Sequence, residues 1–373
     1  MRAHKSRFLA LLAVCGVLAL AILVSDQNVP SLPQQPERLP AAVVTLGDST
    51  LSGEGGGNYE AGTNGANDDW CHRSPAAAVH QLQLPPGVSR FNLACSGAQA
   101  KLVGLQPSPE HAEGSQAARL AELASRYRIT DVVVQVGAND DPGFTDAVNR
   151  CVQAWARRVP GGCSAQLSKT WPQRVEQMRP KVVSALRDVR SVMEQAGYTP
   201  QSYSLVVQSY ASPVGPEIAP QLQNLSGCPF QTGDLRWIRD TGVPQLSEGL
   251  RKAAGAVDAR FLDLSRAGVG HEACTGPSPQ QGQPQQVPPG QASPAGQGEE
   301  WFTRLTVDWE SLQYDDRAPH AMQESFHANA AGHAQLGGCL SQFLNDDARR
   351  AACLPDRRGD LQAVPEDARV PAP

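Results

Sequence analysis

The chain has 373 residues, 40% of them hydrophobic and 18% charged. That is enough apolar material to bury the core of one large domain or two small ones, which excludes disorder of the whole. A formal net charge of −5 at pH 7 leaves no broad basic field, so nucleic acid is set aside as a partner.

The N-terminus places Arg2, Lys5 and Arg7 before an unbroken apolar run from Phe8 to Val24, the charge-then-hydrophobe order of an export signal. No small-x-small cleavage site follows, and the run is only a little short of a bilayer span. Residues 1–26 are therefore read as a signal peptide or an uncleaved N-terminal membrane anchor, and the remainder as extracytoplasmic, secreted or anchored. Cys15 lies mid-run after Val14, where a lipoprotein would need a small residue. Residues 27–40, QNVPSLPQQPERLP, read as an extended Pro/Gln-rich linker.

The folded domain is expected over residues 41–353. Strand-length apolar runs recur at Ala42 to Leu46, Ser89 to Leu93, Asp131 to Val136, Ser204 to Gln208 and Arg260 to Leu264. Most are apolar on both faces, as buried parallel strands are. Between the third and fourth, Val175, Met178, Val182, Leu186, Val189 and Met193 step by three and four. They mark a crossover helix that Gly197 can end and that Pro180 should kink or open afresh. Gln116 to Tyr127 and Ala330 to Leu344 read as further helices. The alternation predicts a three-layer α/β/α sandwich around a mostly parallel, five-stranded sheet, with ligands beyond the carboxyl ends of the strands. Thr275 to Gly298 is a Pro/Gln/Gly low-complexity run, read as a mobile surface insertion over 275–298. Residues 354–373 read as a disordered, solvated tail.

Apart from Cys15 the cysteines are Cys71, Cys95, Cys151, Cys163, Cys228, Cys274, Cys339 and Cys353. An even set of eight outside the membrane predicts four disulfides, paired between successive neighbours: 71 with 95, 151 with 163, 228 with 274, and 339 with 353. No Cys-x-x-Cys or His-Glu-x-x-His spacing occurs, so no metal is expected.

The chemistry concentrates at strand ends. The first run stops in Gly47, Asp48 and Ser49, followed by Ser52, Gly53 and Gly55. A serine there is exposed on a tight turn while its own N–H faces a developing oxyanion. The second run ends in NLACSGA and the third in VGANDDPGF, offering the Gly97 N–H and the Asn139 side-chain amide as further oxyanion donors. Far along the chain, ESFHANAAGHAQ supplies His327 just before a helix, where a loop can carry it over the serine as general base. His333 reads as a packed or capping residue of that helix; His72 and His271 read as structural.

GDSTLSG, ACSGA, GAND and the FHAN segment resemble, in order and spacing, blocks I, II, III and V of the SGNH/GDSL hydrolase superfamily, in its secreted bacterial esterase and lipase branch. The resemblance runs from about Thr45 to His333. It implies a flavodoxin-like hydrolase fold, with Ser49 as nucleophile, Ser49, Gly97 and Asn139 as the oxyanion hole, and His327 as base. The family commonly has Asp three residues before its histidine; this chain has Glu324, taken by that likeness as the third catalytic residue that orients the imidazole, with a backbone carbonyl in that role as the alternative. GAND replaces the usual GGND, tolerable unless Ala138 needs a positive φ, and Ala328 stands where Pro is frequent. The expected activity is cofactor-free hydrolysis of lipid or acylated-glycan esters by a monomer. Alternatives are an acyltransferase using the same site and a non-catalytic glycan-binding module, the latter disfavoured by intact Ser49, Asn139 and His327.

Overall fold

The computed structural model describes residues 39–106, 113–276, 299–315 and 317–366. The N-terminal segment and linker up to residue 38, and nearly all of the 275–298 insertion, lie outside the described residues. Among the described residues no helix is long and apolar enough to cross a membrane. The strands are β1 (Ala41–Gly47), β2 (Ser89–Asn92), β3 (Arg128–Gln135), β4 (Ser204–Gln208), β5 (Arg260–Asp263), β6 (Arg350–Pro355) and β7 (Leu361–Pro365). The helices are α1 (Ser49–Ser52), α2 (Ala100–Val103), α3 (Gln116–Ala124), α4 (Phe144–Ala156), α5 (Ser164–Gln195), α6 (Thr232–Trp237), α7 (Val243–Gly255) and α8 (Ala330–Leu344), with a π-helical turn at Ile238–Gly242 between α6 and α7.

One seven-stranded sheet has the order β2-β1-β3-β4-β5-β6-β7. Every neighbouring pair from β2 to β6 is parallel, and β7 closes the edge antiparallel to β6. Side chains alternate across it as period-two geometry requires. Val44, Val132, Val134 and Val207 join the core under α3, α5 and α7, whereas Val43, Val133, Val206 and Leu262 join the opposite core with α4 and α8. Both faces are thus covered, which is why these strands carry no polar face.

Two expectations need correction here. The sheet has seven strands, not five, and residues 354–366 are no free tail, since they finish β6 and supply all of β7, while the rest of the expected tail lies outside the described residues. RAACLP lacks the β-branched residues that mark a strand. Pairing with β5 and the Cys353 link to Cys339 of α8 make it one. Leu361 then buries its side chain from β7.

The stripe read from Val175 to Met193 belongs to the 32-residue helix α5, which contains both Pro172 and Pro180. Each proline is exposed, so the carbonyl it deprives of a donor faces water and the helix runs through Pro180 instead of opening afresh there. Gly197, at φ 89°, takes the left-handed turn just past its end. Disulfides join Cys71 to Cys95, Cys151 to Cys163, Cys228 to Cys274 and Cys339 to Cys353.

Candidate active site

The nucleophile's turn is built around Gly47, at φ 152°, where a Cβ would sit 2.0 Å from the Gln135 carbonyl oxygen of β3. No other residue fits between the two strand ends. Buried Gln116 clamps the same residue, accepting from the Gly47 N–H at 2.7 Å and donating to its carbonyl at 2.8 Å. Asp48 caps α1 by accepting from the Thr50 N–H, and its other oxygen accepts from Tyr210 Oη at 2.5 Å. Complete burial raises the Asp48 carboxyl to about 7, against the pull of the Tyr210 and Thr50 bonds.

Ser49 follows at 9% exposure. His327 Nε2 lies 2.8 Å from Ser49 Oγ, although the two residues are 278 positions apart. The other ring nitrogen, Nδ1, is 3.1 Å from the Ser325 carbonyl oxygen. A carbonyl can only accept, so Nδ1 carries the hydrogen and Nε2 presents its lone pair to the serine hydroxyl. Loss of water around the ring holds the imidazole below its ordinary 6.5, partly opposed by the charge of Glu54 and the Ser325 carbonyl. At neutral pH the ring is therefore uncharged and able to take a proton.

The loop that carries His327 is pinned from several sides. Thr303 Oγ1 donates to the Glu324 carbonyl and accepts from the His327 N–H, the Thr303 N–H donates to the His327 carbonyl, and Phe302 forms a β-bridge with Ala328. Phe326 holds a positive φ of 61° between Ser325 and His327, a strained conformation for a bulky residue, here locked by burial of its ring against Phe230. Asn329 then caps α8 through the Gly332 N–H. Gly55, also at positive φ, runs so close that a Cβ on it would meet the Ala328 carbonyl at 2.7 Å.

Glu324 does not orient the imidazole. Its carboxylate accepts from Tyr59 Oη at 2.8 Å, and the backbone carbonyl of Ser325 occupies the position the sequence offered to it. The turn at Phe326 is the reason, because it folds residue 325, not 324, back onto the ring. Gly97 and Asn139 line one cleft with Ser49 and His327. Among the described residues neither the Ser49 nor the Gly97 N–H has a protein acceptor. The Asn139 amide donates one hydrogen to the Ala98 carbonyl, which holds it against the Gly97 loop and leaves the other free. Ala138 does not need a positive φ, a role taken by Gly137 at 130°.

The histidines read from the sequence as structural, His333, His271 and His72, are buried. His333 is buried and pushed down to about 4, chiefly by burial, with Nε2 on the Glu54 carbonyl; His271 stacks on Trp301. His72 binds the buried carboxylate of Glu54. Sequence reading missed Glu54, Tyr59, Tyr210 and Gln323. Glu54 left one signal, an acidic residue inside a glycine turn; Tyr210 and Gln323 left none.

Two cavities meet at Ser49 and His327. One, of about 100 Å³, is walled by Trp171, Trp237, Leu246, Leu264, Phe302 and Leu336. The other, of about 560 Å³, is lined by Asp69, Trp70, Ser96, Asn149, His320 and Gln323 and is more polar.

A parallel α/β sheet that pairs a serine hydroxyl with an imidazole beyond its strand ends defines the class of α/β serine-type hydrolases. Residues 45–335 match the GDSL-like Lipase/Acylhydrolase family, and the chain belongs to that family. It is accordingly a carboxylic ester hydrolase. It is similar to Lipase 2 of Streptomyces coelicolor, 25% identical over 280 residues that cover 72% of this chain and 83% of the relative. Among solved structures it is similar to phospholipase A1 from Streptomyces albidoflavus, with a TM-score of 0.51 and 23% identity, covering 83% of this chain and all of that one.

Proposed function

We propose that the protein acts outside the cytoplasm on esters of apolar acyl chains, through an acyl-enzyme on Ser49. The observation that carries this is the 2.8 Å Oγ to Nε2 contact at the junction of an apolar and a polar cavity. Ser49 Oγ attacks the ester carbonyl carbon as its proton passes to His327 Nε2. The carbonyl oxygen becomes an oxyanion held by the Ser49 and Gly97 N–H groups and the Asn139 amide. Collapse expels the alcohol, which takes the proton from Nε2. Water, deprotonated by the same nitrogen, then attacks the acyl carbon; the bond to Ser49 Oγ breaks, Oγ takes the proton back from Nε2, and the acid is released.

The aromatic and aliphatic wall favours a lipid-type acyl chain over acetyl, and the more polar cleft suits the alcohol portion of the ester. The disulfides favour an oxidising, extracytoplasmic setting. The test is to treat the disulfide-bonded protein with an alkyl fluorophosphonate and locate the adduct by mass spectrometry. Labelling at Ser49 that disappears in His327→Ala is expected, with faster turnover of medium-chain esters than of acetyl esters or acetylated glycan. Folded protein that resists labelling, or labels elsewhere, refutes the mechanism; a preference for acetyl refutes the substrate class.

A further inference from the structure

Resting on that reading of Ser49 and His327, we infer that Glu54 is a positioning residue for the reaction. Its buried carboxylate ties together the loops that carry the nucleophile, Gly97 and the base, and supplies the negative charge that the neutral Ser325 carbonyl does not.

Glu54 is 0% exposed. Its N–H donates to the Ser49 carbonyl at 3.1 Å, which fixes it to the nucleophile's own turn. One carboxylate oxygen accepts from His72 Nδ1 at 2.9 Å. The other accepts from Ser96 Oγ at 2.6 Å and from Gln323 Nε2 at 2.8 Å. Ser96 immediately precedes Gly97, and Gln323 lies four residues before His327. The Glu54 carbonyl accepts from His333 Nε2 of α8. Tyr59 Oη bridges the two acidic side chains with a single hydrogen, 2.8 Å from Glu324 and 3.2 Å from Glu54.

A carboxylate so deep in the protein persists only if its lone pairs are met by donors, and here three side chains from three separate loops meet them. Burial pushes the Glu54 carboxyl up, but the bond and charge of His72, the attraction of His327 and the Ser96 bond outweigh it and hold the group below its usual range. It is thus ionised wherever His327 works as a base. The same interaction appears at the other end, where Glu54 is the leading charge opposing the fall of the His327 value. The other titratable groups facing this cluster are His72, Tyr59, Glu324 and His333. When the imidazole takes the serine proton, the cation that forms has a neutral partner on Nδ1 and a fixed anion in Glu54, which stabilises it through the protein interior.

The test is kcat and KM against pH for the disulfide-bonded full chain and for Glu54→Gln and Glu54→Asp, on a water-soluble ester. Glu54→Gln should move the acidic limb of kcat/KM about one unit lower, the size of one charge interaction inside a protein, and reduce kcat on the order of tenfold. KM should stay within about twofold, because Glu54 does not touch substrate. Glu54→Asp keeps the charge and should restore the limb toward the wild-type position. Should Glu54→Gln fail to fold, the double variant Glu54→Leu, His72→Phe removes the buried acid with its main partner, and a smaller shift in the same direction is expected of it, because the charge of His72 leaves with the carboxylate. A limb that stays put in a folded neutral variant overturns the inference, because a carboxylate with a purely structural role changes stability and active fraction but not the base's titration. Activity that survives His327→Ala overturns the site reading, and this inference with it.

Discussion

Asp48 gives a stability prediction that needs no substrate. Its carboxyl rises from an ordinary 3.8 to about 7 because it is sealed under Tyr210. Between those values the native state holds a proton that the unfolded chain has released. Stability from this group is therefore full at low pH, falls as pH rises from about 4 to about 7, and is level above that. A rise of this size corresponds to roughly 4 kcal/mol lost across the window. Asp48→Asn keeps an oxygen for the Thr50 N–H and an amide for Tyr210 Oη but cannot ionise, so it escapes the slope. The assay is guanidinium unfolding of wild type and Asp48→Asn with disulfides intact, at pH 4.5 and pH 7.5. Taking the difference of differences cancels every other titrating group that the substitution leaves alone. The variant should gain on the wild type by at least about 2 kcal/mol between the two pH values. An equal difference at both would mean that the carboxylate is ionised throughout, and the desolvation argument would be wrong.

Asn139→Ala should reduce kcat about 100-fold or more with little change in KM, since the amide acts on charge that develops only in the transition state; steady-state kinetics checks this. The His327 imidazole sits below its ordinary 6.5, so the fraction of neutral base, and with it kcat/KM, should rise with pH below that value and be level by pH 7 in a pH-rate profile. Glu324→Gln should cost less than about threefold in kcat, because Tyr59 and not the imidazole holds this side chain; a loss of about 1,000-fold or more would restore it as the orienter.

The sheet and the pairing of serine with histidine were legible for different reasons. The buried strands announce themselves because both faces are covered, so Val43 and Val44 are apolar alike. Ser49 and His327 were legible through the segments around them: the glycine turn after the first strand, where Gly47 is required by its contact with Gln135, and the helical stretch just past the histidine, which Asn329 caps. β6 and β7 escaped because their strand character comes from partners and a disulfide, and an Ala-Ala-Cys run carries no such signature. At Pro180 the fresh start did not occur, since a proline's effect depends on whether its unpaired carbonyl meets water, which spacing does not encode.

The error over Glu324 has a more general cause. Spacing places a carboxylate three residues before the histidine, yet a single positive φ at Phe326 decides which residue's oxygen faces Nδ1, and no feature of SFHAN forecasts that turn. Once a neutral carbonyl holds the ring, the tautomer is fixed as firmly as a carboxylate would fix it, but the imidazolium is stabilised less. The deficit has to be made up by a charge outside the first contact. Such a charge must be buried to act strongly and must be surrounded by donors to remain a charge. Glu54, five residues past Ser49 with His72, Ser96 and Gln323 on its oxygens, meets both conditions. Orientation and charge, which one side chain supplies in a Ser-His-Asp triad, are on this account divided here between a backbone carbonyl and a carboxylate on the nucleophile's own turn.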